Sequence, residues 1–171
     1  MLLARFTLMS GVSNKPVLAV DVDGVISLFG FDGPLDQVPG TFHLIDGVAH
    51  CIAEGVGPRL LRLADGFEMV WATGWEERAN DHLPHILGLA TDMPVLTFGG
   101  RARFGTAHWK LDALDEYAQG GPLAWIDDSL DESCHAWAAK RSAPTLLVPT
   151  ESAVGLVDAQ VDAILDWAAQ L

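Results

Sequence analysis

The chain has 171 residues, half of them hydrophobic, with 23 acidic against 10 basic side chains and a formal net charge of −13, which suits one domain with ample material for a buried core. The charge disfavours stable nonspecific binding to nucleic-acid phosphates or anionic membranes, so an anionic ligand must be met by a metal or a few placed cations. No run approaches the roughly twenty apolar residues of a membrane span, MLLARFTLM is too short for a signal-peptide core, and Cys51 and Cys134 form neither a disulfide framework nor a zinc spacing. The expectation is one soluble domain over 1–171 in a reducing cytoplasm.

In chain order, PVLAVDVDG reads as the first buried strand, because it is apolar without alternation and ends in turn formers. The next segment, FGFDGPLDQVPGTFHLIDGVAHCIAEG, is rich in Gly and Pro, and its Asp46-Gly47 pair between two apolar runs predicts a β-hairpin insert over about 29–55. A helix over VGPRLLRLADG leads to a strand, FEMVWATG, then a helix over EERANDHLPHILGL and a strand, MPVLTFGG. AHWKLDALDEYAQGG is helical, PLAWIDDS a strand, DESCHAWAAKR a helix and PTLLVP a strand, and VDAQVDAILDWAAQL closes the chain as a helix. This alternation predicts a three-layered α/β sandwich with a five-stranded parallel sheet, a Rossmann-like core over about 16–171.

In such a sheet ligands bind beyond the carboxyl ends of the strands. The first strand ends in Asp21-Val22-Asp23-Gly24, the second in Thr73-Gly74 and the fourth in Asp127-Asp128-Ser129. Crowded carboxylates repel one another, and a hard divalent cation with oxygen ligands is the simplest compensation, magnesium being the natural candidate.

These motifs resemble those of the haloacid dehalogenase (HAD) superfamily: DVDGV its first motif, WATGW its second, Lys110 its third and WIDDS its fourth, over roughly Pro16 to Pro149. The pairing of WATGW with WIDD also resembles HAD-type domains associated with bacterial RNA-repair proteins. The resemblance implies an Mg²⁺-dependent phosphatase in which Asp21 becomes transiently phosphorylated and Asp23 serves as general acid and base. Thr73 and Lys110 then contact the phosphoryl group, Gly24 and Gly74 border the substrate, and Asp21, Asp23, Asp127 and Asp128 hold the metal, Asp23 through its backbone carbonyl. The second Asp of DxD argues against dehalogenation.

The gaps between motifs leave no room for a substantial cap domain, so an open cleft is expected, with a large or end-exposed phosphate, such as a nucleic-acid end, as substrate. Trp75 is the candidate to stack on a base, and Arg101 and Arg103 in FGGRARFG are candidates to clamp flanking phosphates. That segment lacks the GK[ST] ending of a nucleotide P-loop. The pairs His82/His85 and His43/His50 read as surface or structural residues, and Trp71, Trp109 and Trp125 as packing. Two alternatives stay open: a phosphotransferase on the same fold, and a catalytically silent module that binds a phosphorylated partner.

Overall fold

The chain begins its core with β1 (Val17–Val20), whose four residues are all buried because both faces of the strand are covered. The structure, a computed structural model, describes residues 15–89, 93–100 and 106–171. After β1 come β2 (Ser27–Leu28), β3 (Gly40–Ile45), β4 (Val48–Ala53), α1 (Val56–Ala64), β5 (Glu68–Trp71) and α2 (Arg78–Leu87). A 3₁₀ turn at Ala107–Lys110 leads into α3 (Leu111–Ala118), followed by β6 (Leu123–Asp127), α4 (Glu132–Lys140), β7 (Thr145–Pro149) and α5 (Asp158–Ala168).

Two sheets result. The main one is parallel, in the order β5-β1-β6-β7, and the smaller one is antiparallel, in the order β2-β4-β3. Alternate side chains of the main sheet enter two separate cores. Leu18, Val20, Ala124 and Ile126 pack with Leu60, Leu63, Leu83 and Ile164 of α1, α2 and α5, whereas Val17, Ala19, Leu123 and Trp125 pack with Leu111, Leu114 and Cys134 of α3 and α4. The three layers expected from the sequence are therefore present. Among the described residues no helix is long and apolar enough to cross a membrane.

The main sheet has four strands rather than the expected five. MPVLTFGG runs beside β5 but makes one isolated bridge, Trp71 to Val95. Its ladder stops for local reasons: Pro94 has no N–H to give, and the Phe98 N–H is taken by the Glu76 side chain at 3.2 Å. The hairpin forms where the sequence placed it, with Asp46 and Gly47 at φ 50° and 81°, as a tight two-residue turn requires. β2 adds a third strand to it, which the sequence did not suggest.

Helix α1 shows how side-chain spacing sets the packing. Val56, Leu60 and Leu63 recur at helical spacing and are buried, while Arg59 and Arg62 reach outward to Asp158 and Asp162 of α5 at 2.6–3.2 Å. These exposed ion pairs contribute little; the apolar stripe holds the helix. Gly57 lets α1 approach the end of α2 so closely that a Cβ there would overlap the Leu87 carbonyl. We expect Gly57→Ala to cost about 1–3 kcal/mol through overpacking, measured as a lower urea midpoint at unchanged m-value. Wild-type stability in that variant would contradict the close approach.

Candidate active site

Because β1 and β6 pair in parallel with Val20 opposite Ile126, Asp21 and Asp127 emerge side by side at the carboxyl edge of the sheet. The Asp21 N–H donates to the Ile126 carbonyl at 3.0 Å, and the Ala72 N–H to the Val20 carbonyl at 2.8 Å, which brings the chain after β5 to the same edge. Asp21, Thr73, Lys110, Asp127 and Thr150 are all buried. Buried polar groups need partners: Asp21, Lys110 and Asp127 find them in one another, and the Thr150 hydroxyl donates to the Gly24 carbonyl at 2.8 Å.

Lys110 ends the 3₁₀ turn, whose N-cap Thr106 accepts the His108 N–H at 3.1 Å. Its ammonium is 2% exposed and lies 3.0 Å from Asp21 Oδ2 and 2.5 Å from Asp127 Oδ2. Burial alone would lower the Lys110 pKa, but the charges of Asp21 and Asp127 outweigh it and hold the side chain protonated. For Asp21 burial dominates: its pKa rises to about 7, with Asp127 adding to the rise and Lys110 opposing it. The remaining Asp21 oxygen, Oδ1, accepts the Val22 N–H at 2.7 Å.

After Asp21 the chain coils into one tight turn in which the Val22 carbonyl accepts the N–H groups of Val25, Ile26 and Ser27 at 2.8–3.2 Å. Gly24, at φ 75°, makes this possible where a β-carbon would be strained. A Cβ there would also overlap the Asp128 carboxylate, so Gly24 clears the space that Asp128 occupies. The turn brings the Asp23 carboxylate to the Trp75 indole, whose Nε1–H donates to Oδ2 at 2.9 Å. Although Asp23 keeps an exposed side, partial burial of its carboxyl raises its pKa against the opposing Trp75 hydrogen bond and the charges of His50 and Lys110. The shift favours the protonated form that a general acid must hold.

Asp127 Oδ1 accepts the Ser129 N–H at 2.9 Å, and both oxygens of Asp128 accept hydroxyl protons, from Ser129 at 2.9 Å and Ser152 at 2.7 Å. Carboxylate oxygens of Asp21, Asp127 and Asp128 come within 4.8 Å of one another. Lys110 is the one cation that the described residues place beside these three carboxyl groups. A hard divalent cation fits this donor set, which is all oxygen and rigidly held. The Asp23 carboxylate is not part of this cluster.

The carboxylates open into a cleft of 430 Å³ lined by Asp21, Asp23, Gly74, Lys110, Asp127 and Asp128, with Phe29, Trp109, Ser129 and Ser152 among its walls. Gly74 lines the cleft as expected, whereas Thr73 is fully buried and its hydroxyl accepts the Trp75 N–H at 3.3 Å. Trp75 is 8% exposed, with His50 edge-on at 4.8 Å and the Arg78 guanidinium 5.6 Å from its ring. Its geometry is that of a support for Asp23 rather than an open stacking platform. Arg101 and Arg103 lie outside the described residues. His43 and His50 face each other across the hairpin, and His50 Nδ1 hydrogen-bonds the Ser27 hydroxyl at 2.9 Å. His82 lies 3.3 Å from Asp46 at the hairpin turn.

Sequence reasoning missed Ser129, Ser152, Phe29 and Trp109 as site residues. Ser129 stands in the fourth motif and could have been read there; nothing in the sequence links Ser152 to Asp128, 24 residues away.

No family model and no curated protein matches the chain. Among solved structures, a hypothetical protein from Xanthomonas campestris is 15% identical at a TM-score of 0.46, over 92% of this chain and 85% of its own. A candidate 3-deoxy-D-manno-octulosonate 8-phosphate phosphatase from Vibrio cholerae is 19% identical at a TM-score of 0.45, over 92% and 87%. Likeness at this level does not bear on activity.

Groups that orient a metal ligand typically matter 10–100-fold in affinity. Ser152→Ala should therefore weaken Mg²⁺ binding by about 10-fold or more, read by calorimetry, while the melting temperature stays near that of wild type. Unchanged affinity would remove Asp128 from the cation site.

Proposed function

We propose that the chain is an Mg²⁺-dependent phosphomonoester hydrolase of the HAD type that works through a phosphorylated Asp21. One observation carries the reading: the buried Asp21 carboxylate lies 3.0 Å from the Lys110 ammonium at the base of a cleft that the hydrogen-bonded Asp23 also lines. A carboxylate held beside a buried cation in a polar cleft suits nucleophilic attack on an anionic phosphorus centre.

Asp21, Asp127 and Asp128 would hold the cation through carboxylate oxygens and Asp23 through its backbone carbonyl. Bound Mg²⁺ supplies positive charge to the phosphoryl oxygens and fixes their orientation. In the first step an Asp21 oxygen attacks phosphorus, the ester P–O bond breaks, and Asp23 gives its proton to the departing oxygen. In the second, Asp23 takes a proton from water, the water oxygen attacks phosphorus, and the bond to Asp21 breaks. Lys110 offsets the charge that gathers on the transferred group and on Asp21, and the Trp75 indole fixes the Asp23 carboxyl for both proton transfers.

The cleft favours water as acceptor. Asp23 and Phe29 are both exposed at its mouth, so water reaches the phosphorylated side chain, whereas phosphotransfer to another acceptor needs it shut out. The same openness supports a substrate whose phosphate is end-exposed, including a nucleic-acid end. A silent binding module has no use for a second carboxyl held beside the first by a dedicated indole donor.

Asp21→Asn should abolish turnover of phosphomonoesters while leaving the circular dichroism spectrum and melting temperature close to wild type, and chelation of Mg²⁺ should do the same reversibly. Normal turnover by Asp21→Asn would rule the mechanism out. Asp23→Asn should slow turnover by about 10²–10⁴-fold, and less for esters with good leaving groups such as p-nitrophenyl phosphate than for alkyl phosphates. Equal losses across leaving groups would take Asp23 out of the acid role.

A further inference from the structure

Two aromatic side chains line the catalytic cleft without taking part in the chemistry above. Phe29 follows β2 and is 49% exposed as a residue, although the cleft around it is otherwise largely polar. Its backbone is fixed, because the Phe29 N–H donates to the Ser152 carbonyl at 3.0 Å, the residue whose hydroxyl holds Asp128. Trp109, next to Lys110, contributes to the wall from the 3₁₀ turn. Phe98 packs edge-on against it at 4.5 Å, and the Lys110 ammonium lies 5.1 Å from its ring centroid. Both aromatics are thus tied to parts of the catalytic apparatus, one through Ser152 and the other through Lys110.

An aromatic residue left half exposed beside a carboxylate cluster keeps part of its apolar surface in water, and burial of that surface is what makes a phenyl group favourable. A ligand ring that covers it recovers that energy. A cleft of 430 Å³ is in the range that holds a small ligand rather than a phosphoryl group alone, so it has room for part of the leaving group too. Every planar aromatic ring offers a face to stack, and aromatic walls accept it without demanding a particular hydrogen-bond pattern.

We infer that this cleft selects phosphomonoesters whose leaving group carries a planar aromatic ring, held against Phe29 and Trp109. The inference rests on the phosphatase reading and names the substrate class of that site. The shared chemistry is a phosphate joined to an aromatic ring, met either as a nucleoside monophosphate or as an aryl phosphate. It predicts a role for the two residues in binding rather than in bond making.

The test is calorimetric binding, in Mg²⁺, of adenosine 5′-monophosphate, phenyl phosphate and ribose 5-phosphate to the Asp21→Asn protein, which holds ligands without consuming them. At least one aromatic ester should bind tighter than ribose 5-phosphate by about 5–100-fold, the range that one stacked ring supplies, and whichever ester does so identifies the source. Phe29→Ala and Trp109→Ala, each added to Asp21→Asn, should erode the preference, whereas Phe29→Tyr should keep it. Melting temperatures check that each variant is folded. Equal binding of all three ligands, or an aromatic preference that survives both alanine substitutions, overturns the inference. Failure of all three to bind also overturns it; if the wild-type protein still hydrolyses another phosphomonoester, the phosphatase reading stands alone, and if it hydrolyses none, both fall.

Discussion

The Lys110 ammonium sits between two buried carboxylates, 3.0 Å from Asp21 and 2.5 Å from Asp127, and the architecture of the catalytic edge follows from keeping those three charges together. Taking ions out of water costs several kcal/mol each, which only close pairing and complete hydrogen bonding offset. The sheet supplies the pairing: β1 and β6 are adjacent and in register, so their terminal aspartates cannot separate. The 3₁₀ turn at Ala107–Lys110 delivers the cation from the far side. Backbone donors at Val22 and Ser129 take remaining oxygens of Asp21 and Asp127. One positive charge does not balance the carboxylates, because Asp128 adds a third beside them. That surplus is what a bound divalent cation would offset.

The small antiparallel sheet is coupled to this edge rather than appended to it. Ser27 of β2 bonds His50 of β4, His50 packs on Trp75, and Trp75 donates to Asp23. Each contact is short-ranged, and together they connect the hairpin to the Asp23 carboxyl. Phe29 extends the same sheet to the cleft mouth. The insert therefore contributes His50 to the surroundings of Asp23 and Phe29 to the wall of the cleft.

Much of this arrangement is legible in the sequence, and the illegible part has physical causes. Asp21, Asp127 and Gly74 could be placed because unbroken apolar runs end in turn formers, and strand ends are where a parallel sheet displays polar groups. The Asp46-Gly47 turn was legible because few pairs accept two successive positive φ values. MPVLTFGG misled because its composition is that of a strand, while the decision fell to Pro94 and to a side chain, Glu76, that competes for the Phe98 N–H. Ser152 was invisible because its contact with Asp128 depends on how the chain after β7 folds back over Gly24. Trp75 was read as a stacking surface, and only coordinates reveal that its indole N–H points at Asp23.

The central claim is that Asp21 is the nucleophile that takes up the phosphoryl group and not merely a ligand in an acidic cluster. It is tested most directly by mixing the protein with Mg²⁺ and p-nitrophenyl phosphate, quenching in acid within the first turnovers, and mapping phosphate by peptide mass spectrometry. The account predicts a phosphorylated peptide whose label lies on Asp21, is released by hydroxylamine as acyl phosphates are, and is missing in Asp21→Asn. Hydrolysis that proceeds with no label on Asp21, or with the label on another residue, would contradict it.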